Sequence, residues 1–306
     1  MLILIAGVTG LVGQACAQAA FKSGHQVRGL GRNPDKLPKD IVDRLESFVK
    51  LKDVYDIPAL DEAVKGVDAI ISAVYYSPVA LVDGQILLLR AAERAGVKIF
   101  HAASWNYDWT KLKLGECESY DNFIAFHNHA RLSSEIKPIY GFTGGIMEYL
   151  LWHSPHSNPI DPQSKTLSYF GTGDEQLTWI VLEDLAAYTI QAISEPKAVE
   201  GGFYYVESFR CSTREMGRTY EEVHGFRLEP KSLGTVEDID RLVDEARVAI
   251  APTQYLDYVG LTYMRLFLRG VMDYDSVDSR RWSHIKQTSL KELLERNFHR
   301  SIGQGN

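Results

Sequence analysis

The chain has 306 residues, with 33 Lys and Arg against 40 Asp and Glu, a net charge of −7, and 45% hydrophobic residues. That length can bury a doubly wound core and leave material for a smaller lobe, and the mixed, mildly acidic charge offers no basic face for nucleic acid. No apolar run approaches the roughly 18 to 20 residues of a membrane span, the first such run is too short for a signal peptide, and Cys16, Cys117 and Cys211 lack metal-ligand spacing and suit a reducing cytoplasm.

The apolar run Met1 to Ala6 reads as a buried parallel strand. It passes directly into Gly7-Val8-Thr9-Gly10-Leu11-Val12-Gly13 and then an alanine-rich helical pattern, Leu11 to Lys22, closed by Ser23-Gly24. Strand, glycine turn and helix start are the parts of a phosphate-binding turn, in which the backbone approaches a pyrophosphate and the helix N-terminus offers its unpaired N–H groups. His25 to Leu30 reads as the next strand of a β-α-β unit. The residue type at the end of that strand selects the nucleotide, because an NAD site places an acid there and an NADP site an arginine. Here the chain reads Gly31-Arg32-Asn33-Pro34-Asp35-Lys36, with no acid at the strand end, so NADP(H) is expected, with Arg32 on the 2′-phosphate and Lys36 in support.

Strands and helices go on alternating, the mark of a parallel sheet covered on both faces. Phe48 to Lys52, Ala69 to Val74, Val97 to Ala103 and Pro138 to Thr143 read as strands; Pro58 to Lys65 and Val79 to Ala95 read as helices. Ligands sit outside the carboxyl ends of such strands. That expectation brings Asp53, Ser72, Ala73, Val74 and Ala103 to the cofactor and Trp105, Asn106 and Gly144 to the substrate, and the aromatic richness past the fifth strand adds Phe126 and Tyr149 around the crevice mouth. Asp53 has two readings, as acceptor of the adenine amine or as a loop or capping acid. Further on, Thr166 to Phe170 and Leu177 to Val181 read as strands about a Gly171-Thr172-Gly173-Asp174 turn, Glu183 to Ile193 as a helix, and Phe203 to Glu207 as a strand. Thr213 to His224, Ile239 to Ala249 and the stripe Gln254 to Met272 have helical spacing, and Ser301 to Asn306 reads as a frayed tail.

The glycine turn, Arg32-Asn33-Pro34-Asp35-Lys36-Leu37, Asp68-Ala69-Ile70-Ile71-Ser72-Ala73-Val74 and Leu182-Glu183-Asp184-Leu185-Ala186 together resemble the NmrA-like and isoflavone-reductase-like branch of the atypical short-chain dehydrogenases over most of residues 1 to 200. The resemblance implies a Rossmann-type doubly wound parallel sheet with a smaller C-terminal substrate-binding region. On this reading residues 1–153 form the NADP(H)-binding core, and 154–306 supply the remaining sheet elements and the substrate region of one compact unit. Specialised metabolism is the implied setting.

Catalytic residues are less plainly written. A Tyr-x-x-x-Lys pair, in which the ammonium lowers the phenol pKa, has one literal match, Tyr107 to Lys111, only three residues past Ser104 and too early for that role. Tyr120 sits nearer the expected place, but Ile124 stands where its lysine should be. The related enzymes carry a lysine on the following helix, and the resemblance sets that position near His127. Imidazole can do acid–base work there. The expectation is therefore an NADPH-dependent reductase of a small-to-medium apolar or aromatic carbonyl, imine or enone. His127, or else Tyr107 or Tyr120, supplies the proton, and Ser104 and Asn106 hold the acceptor oxygen. No metal is expected, since His153 and His156 lie in a proline-flanked loop without matching carboxylates. Two alternatives stay open: a non-catalytic NADP(H) sensor that binds a protein partner, and a cofactor-independent isomerase or cyclase.

Overall fold

The N-terminal apolar run forms strand β1 (Leu2–Ala6), whose Ile3, Leu4 and Ile5 are fully buried. A strand with both faces covered cannot show alternation, which is why this one reads as a continuous apolar run. The computed structural model describes residues 1–74, 76–153, 158–271 and 273–298. His156, Met272 and the tail Ser301 to Asn306 lie outside the described residues.

After β1 come β2 (Gln26–Gly31), β3 (Ser47–Lys50), β4 (Ala69–Ser72), β5 (Ile99–His101) and β6 (Ile139–Phe142). They lie in the order β3-β2-β1-β4-β5-β6, with Gly202–Tyr205 as a seventh strand beyond β6. The pairings from β3 through to β6 are parallel. The order reverses direction between β1 and β4, the switch point where such sheets leave a crevice at their carboxyl edge. The helix Leu11–Lys22 has the bounds the sequence gives it, ending at Gly24 with φ +75°. The helix expected over Val79 to Ala95 begins instead as a wider π turn, Val79–Gly84, and only then continues as α-helix, Gln85–Ala95.

Two compact units are present, and each draws on chain from both sides of residue 153. One holds 1–105, 122–142 and 185–204, and the other 106–121, 143–184 and 205–298 of the described chain. The first contains the seven-stranded sheet. The second is built on two small sheets. Leu177–Ile180 pairs with Phe209–Cys211 and Gly145–Ile146, while Thr166–Phe170 pairs with Glu229–Gly234 and Ile160–Asp161. The two strands expected to flank a turn at Gly171 to Asp174 are therefore not partners. Glu175 accepts from Thr172 N–H, Thr172 O–H and Gly173 N–H, fixing a loop that carries the chain from one sheet to the other. The stripe Gln254 to Met272 also breaks, into a 3₁₀ segment Pro252–Asp257 and a helix Val259–Leu268.

The core of the second unit gathers Met147, Leu167, Trp179, Met216, Tyr220, Leu290 and Leu294. The same unit contains a buried carboxylate. Asp184 accepts from Ser208 O–H at 2.5 Å, Thr288 N–H at 2.7 Å and Thr288 O–H at 2.9 Å. Burial pushes its pKa up, partly offset by those donors. No helix among the described residues is long and apolar enough to cross a membrane. Because Asp184→Ala would leave three donors of a buried site without their acceptor, it should lower unfolding free energy by about 3 kcal/mol, measured by urea denaturation; a loss below about 1 kcal/mol would show that the carboxylate is not a structural anchor.

Candidate active site

Three backbones meet at the glycine turn. Gly7 has φ +83°, donates its N–H to Leu30 O at 2.8 Å, and accepts from Gly10 N–H at 3.0 Å. A Cβ on Gly7 would lie 2.1 Å from Ala73 O, and one on Gly13 would lie 2.3 Å from Gly7 O and 2.7 Å from Val8 Cα. These two glycines thus allow β1, β4 and the first helix to touch. Gly10 is different. Its φ of −85° suits any residue and a Cβ there would meet nothing nearer than Gly7 O at 3.4 Å, so the protein's own packing does not call for glycine. The helix beginning at Leu11 has no side-chain cap and no acid in its first turn, which leaves the field of its N-terminus uncancelled around Thr9, Leu11 and Val12.

The carboxyl end of β2 packs on this turn, for a Cβ on Gly31 would sit 3.4 Å from Thr9 Cγ2. Arg32 comes directly after it. Arg32 and Lys36 are exposed and make no side-chain hydrogen bond or ion pair with the described residues, whereas Arg28 on the same strand is held by Glu46, Ser47 and two carbonyls. Asp53 accepts from Tyr55 N–H at 2.8 Å, and the helix after it is capped by Asp56. Asp53 is therefore an exposed loop acid with a local turn bond. Ser72 is fully buried at the end of β4 with its Oγ unpartnered among the described residues; Ala73 N–H donates to Ala6 O, and Val74 is half-buried. Ala103 N–H donates to the buried Gln85 side chain at 2.8 Å, so the residue after the π turn supports the loop beyond β5.

That loop is built on a buried network absent from the sequence expectations. Trp105 Nε1 donates to Thr189 Oγ1 at 2.8 Å, Thr189 donates to Leu185 O at 2.8 Å, and Tyr204 O–H lies 3.0 Å from His101 Nε2. The His101 ring stacks on Trp105 at 4.8 Å, and burial drives its pKa down to about 3, so it is a neutral packing group. Ser104 is buried, donates to Ala102 O and accepts from Gly141 N–H at 2.9 Å. It joins β5 to β6 and is not available as a holder of substrate oxygen.

Other candidates are also spent on construction. Tyr107 is buried, donates to Thr178 O at 2.8 Å and packs on Phe267, and burial raises its pKa. Lys111 donates to Asp273 O, so the literal Tyr-x-x-x-Lys pair is not assembled around that phenol. Phe126 is buried and stacks on Phe100, which makes it core rather than a surface for substrate. Gly144, at φ +72°, is the close approach to Thr178 O, where a Cβ would lie at 2.2 Å. Tyr149 is exposed and its ring meets that of His153. Tyr120, fully buried, donates to Asn106 Oδ1 at 2.7 Å. His127 is half-buried between the rings of Tyr140 and Phe203, and burial, aided by the charge of Arg131 one turn on, lowers its pKa. Among the described residues no three His, Cys, Asp or Glu side chains converge as a metal site requires.

Strand order, glycine turn and the position of Arg32 define a Rossmann-type α/β protein. The chain belongs to the NmrA-like family, whose model matches residues 1–256. It is 27% identical over 286 residues to a probable pinoresinol-lariciresinol reductase 3 of Arabidopsis thaliana, covering 90% of this chain and 89% of that one. It is 26% identical to an isoflavone reductase homolog of Solanum tuberosum, covering 95% and 97%. Among solved structures, the leucoanthocyanidin reductase–NADPH complex from Vitis vinifera superposes with a TM-score of 0.78 over 99% of this chain and all of that one, at 17% identity, a likeness of fold.

The two kinds of glycine separate experimentally. Gly10→Ala should keep its stability to within about 1 kcal/mol, the loss expected of alanine at a helix N-cap, and lose at least about tenfold in nucleotide affinity, because its Cβ would enter space that the protein itself leaves open. Gly13→Ala should lose stability as well as binding, by several kcal/mol if the helix cannot shift. Urea melts beside NADPH titration decide this; equal behaviour of the two variants would refute the distinction.

Proposed function

We propose that the chain is an NADPH-dependent reductase acting on a small-to-medium apolar or aromatic carbonyl, imine or enone. The observation that carries the reading is the pairing of a sterically obligatory glycine turn with an uncommitted Arg32, and no acid, at the end of β2. Family membership and the names of the relatives, reductases of aromatic plant compounds, support it.

The residues fit the dinucleotide. Leu11, Val12 and Gly13 N–H groups receive the pyrophosphate, Arg32 and Lys36 the 2′-phosphate, and Ser72 to Val74 border the crevice beside β1. When bound, the nicotinamide supplies a hydride, the hard part of the chemistry. The protein orients the acceptor and delivers a proton, and His127 is the titratable group at the place where the resemblance puts a lysine. Trp105, clamped by Thr189 and His101, offers a rigid aromatic wall at the carboxyl edge of β5, suited to a flat apolar substrate.

Arg32→Ala should weaken NADPH about tenfold or more and NADH little, since it removes a charge-assisted contact to a group only NADPH has. Fluorescence titration of both nucleotides checks it, and equal losses would remove Arg32 from that role. Binding without consumption of NADPH across a panel of aromatic enones, imines and ketones would favour the sensor; no binding would favour the isomerase.

The proton role has its own signature. With a pKa below the ordinary 6.5, His127 carries its proton only in acid. A rate that uses the imidazolium must fall as pH rises, with its midpoint below the ordinary 6.5, and that limb should vanish in His127→Gln. A wild-type profile with no such acid limb, or one that His127→Gln leaves in place, would withdraw the assignment.

A further inference from the structure

Beyond His101 the fifth strand loses its neighbour. β4 pairs with β5 only as far as Ile71 and His101, while on its other side it pairs with β1 through Ser72 and Ala6. Past Ser72 it stays with β1, where Ala73 N–H donates to Ala6 O and Ala73 O crowds the Gly7 turn. The Ala103 N–H, buried after the end of β5, is therefore left without a strand to pair with, and the Gln85 side chain takes it at 2.8 Å. Gln85 itself is fully buried at the end of the π turn. Its backbone N–H reaches back five residues to Ala80 O, and its Nε2 donates to Leu81 O at 2.7 Å, the carbonyl that the backbone N–H would use in an α-helix. A backbone N–H can only donate, so Ala103 fixes Oε1 toward the loop and Nε2 toward the turn.

We propose that Gln85 is the positioning residue for Trp105, and that the π turn serves to bring its amide to the loop after β5. The inference rests on the reductase reading and assigns a specificity role within it. Arg32 follows β2 on one side of β1, and β4 and β5 lie on the other. A dinucleotide anchored at Arg32 and at the helix after β1 thus runs toward β4 and β5 with its nicotinamide half. Neighbouring strands lie about 4.8 Å apart, so β5 leaves the sheet about 10 Å from β1, on the nicotinamide side. The Trp105 side chain is held there by Thr189, through its Nε1, and by the His101 ring. Gln85 holds the backbone of the same short loop from the helix after β4, two residues before the indole. Without the amide the buried Ala103 N–H has no acceptor, the loop loses its tie to that helix, and the aromatic wall loses its fixed tilt. A wall fixed in advance loses little freedom when a flat substrate stacks on it, which is what selects such a substrate.

The test uses the full chain with 5-fluorotryptophan at its five tryptophans, read by fluorine NMR with and without NADP⁺; the Trp105 signal is the one missing from Trp105→Phe. Gln85→Leu should shift or broaden that signal and leave the others in place. Gln85→Glu keeps the wild-type bonding pattern while its carboxyl is protonated and loses the donor to Leu81 O once it ionises, which burial delays to a pH above about 4.3, the ordinary glutamate value. Its Trp105 signal should therefore move from the wild-type position toward the Gln85→Leu position as pH rises, whereas the wild-type signal stays; this variant carries the test within one protein should Gln85→Leu not fold. His101, whose pKa burial lowers to about 3, stays neutral throughout. In turnover with NADPH, Gln85→Leu should raise KM for the aryl enone benzylideneacetone about tenfold, lower kcat less, and leave NADPH affinity unchanged. The proposal is overturned if the Trp105 signal stays put in Gln85→Leu, if all tryptophan signals move together, if NADPH affinity falls with the rise in KM, or if Gln85→Glu shows no shift with pH. Wild-type turnover with an unchanged KM in Gln85→Leu overturns it alone; no turnover in a wild type that binds NADPH overturns it together with the reductase reading.

Discussion

The backbone of β4 lies against the turn after β1 so closely that no side chain fits between them. At Gly7 the missing Cβ would stand 2.1 Å from Ala73 O, and at Gly13 2.3 Å from Gly7 O. This contact fixes where the first helix points, and with it the direction of the uncapped N–H groups at its start. Because β2 is hydrogen-bonded to the same turn through Gly7 N–H and Leu30 O, the residue emerging from β2 is placed by the same joint. Arg32 owes its position to glycines far earlier in the chain. Any relaxation of the joint would move the start of the first helix and the arginine together.

Polar groups in the first and second units divide between construction and availability, and burial decides which is which. A buried donor or acceptor without a partner is costly, so Ser104, Tyr107, Tyr120 and Gln85 are each tied to backbone or to another side chain. Arg32 and Lys36, after the carboxyl end of β2, are by contrast exposed and make no side-chain hydrogen bond or ion pair among the described residues.

Two buried acids show the same economy inside the second unit. Glu148 accepts the Leu182 N–H through both oxygens, at 3.0 and 3.1 Å, and so caps the start of the helix Leu182–Ser194. Asp184, two residues on, gathers Ser208 and Thr288 from distant chain. The Leu182-Glu183-Asp184-Leu185-Ala186 motif that marks the family resemblance is thus a structural junction in which the acid at 184 does the joining.

The sequence alone determined what rests on neighbours in the chain. The strand–turn–helix at Gly7 to Gly13, the absence of an acid before Arg32, the helix Leu11–Lys22 and the stop at Gly24 are local, because propensity, capping and φ are set within a few residues. So was the parallel sheet, whose buried strands announce themselves as apolar runs. Only the tertiary structure decided the fates of residues whose partners lie far along the chain. Tyr107 was a catalytic candidate until Thr178 O took its hydroxyl, Ser104 until Gly141 N–H took its Oγ, and Phe126 a substrate contact until Phe100 covered it. The same holds for the separation of Thr166–Phe170 and Leu177–Ile180 into different sheets and for the turn of the Asn106 amide. No local pattern encodes which of two amide atoms faces inward; a backbone N–H and a buried phenol settle it once the fold has brought them there.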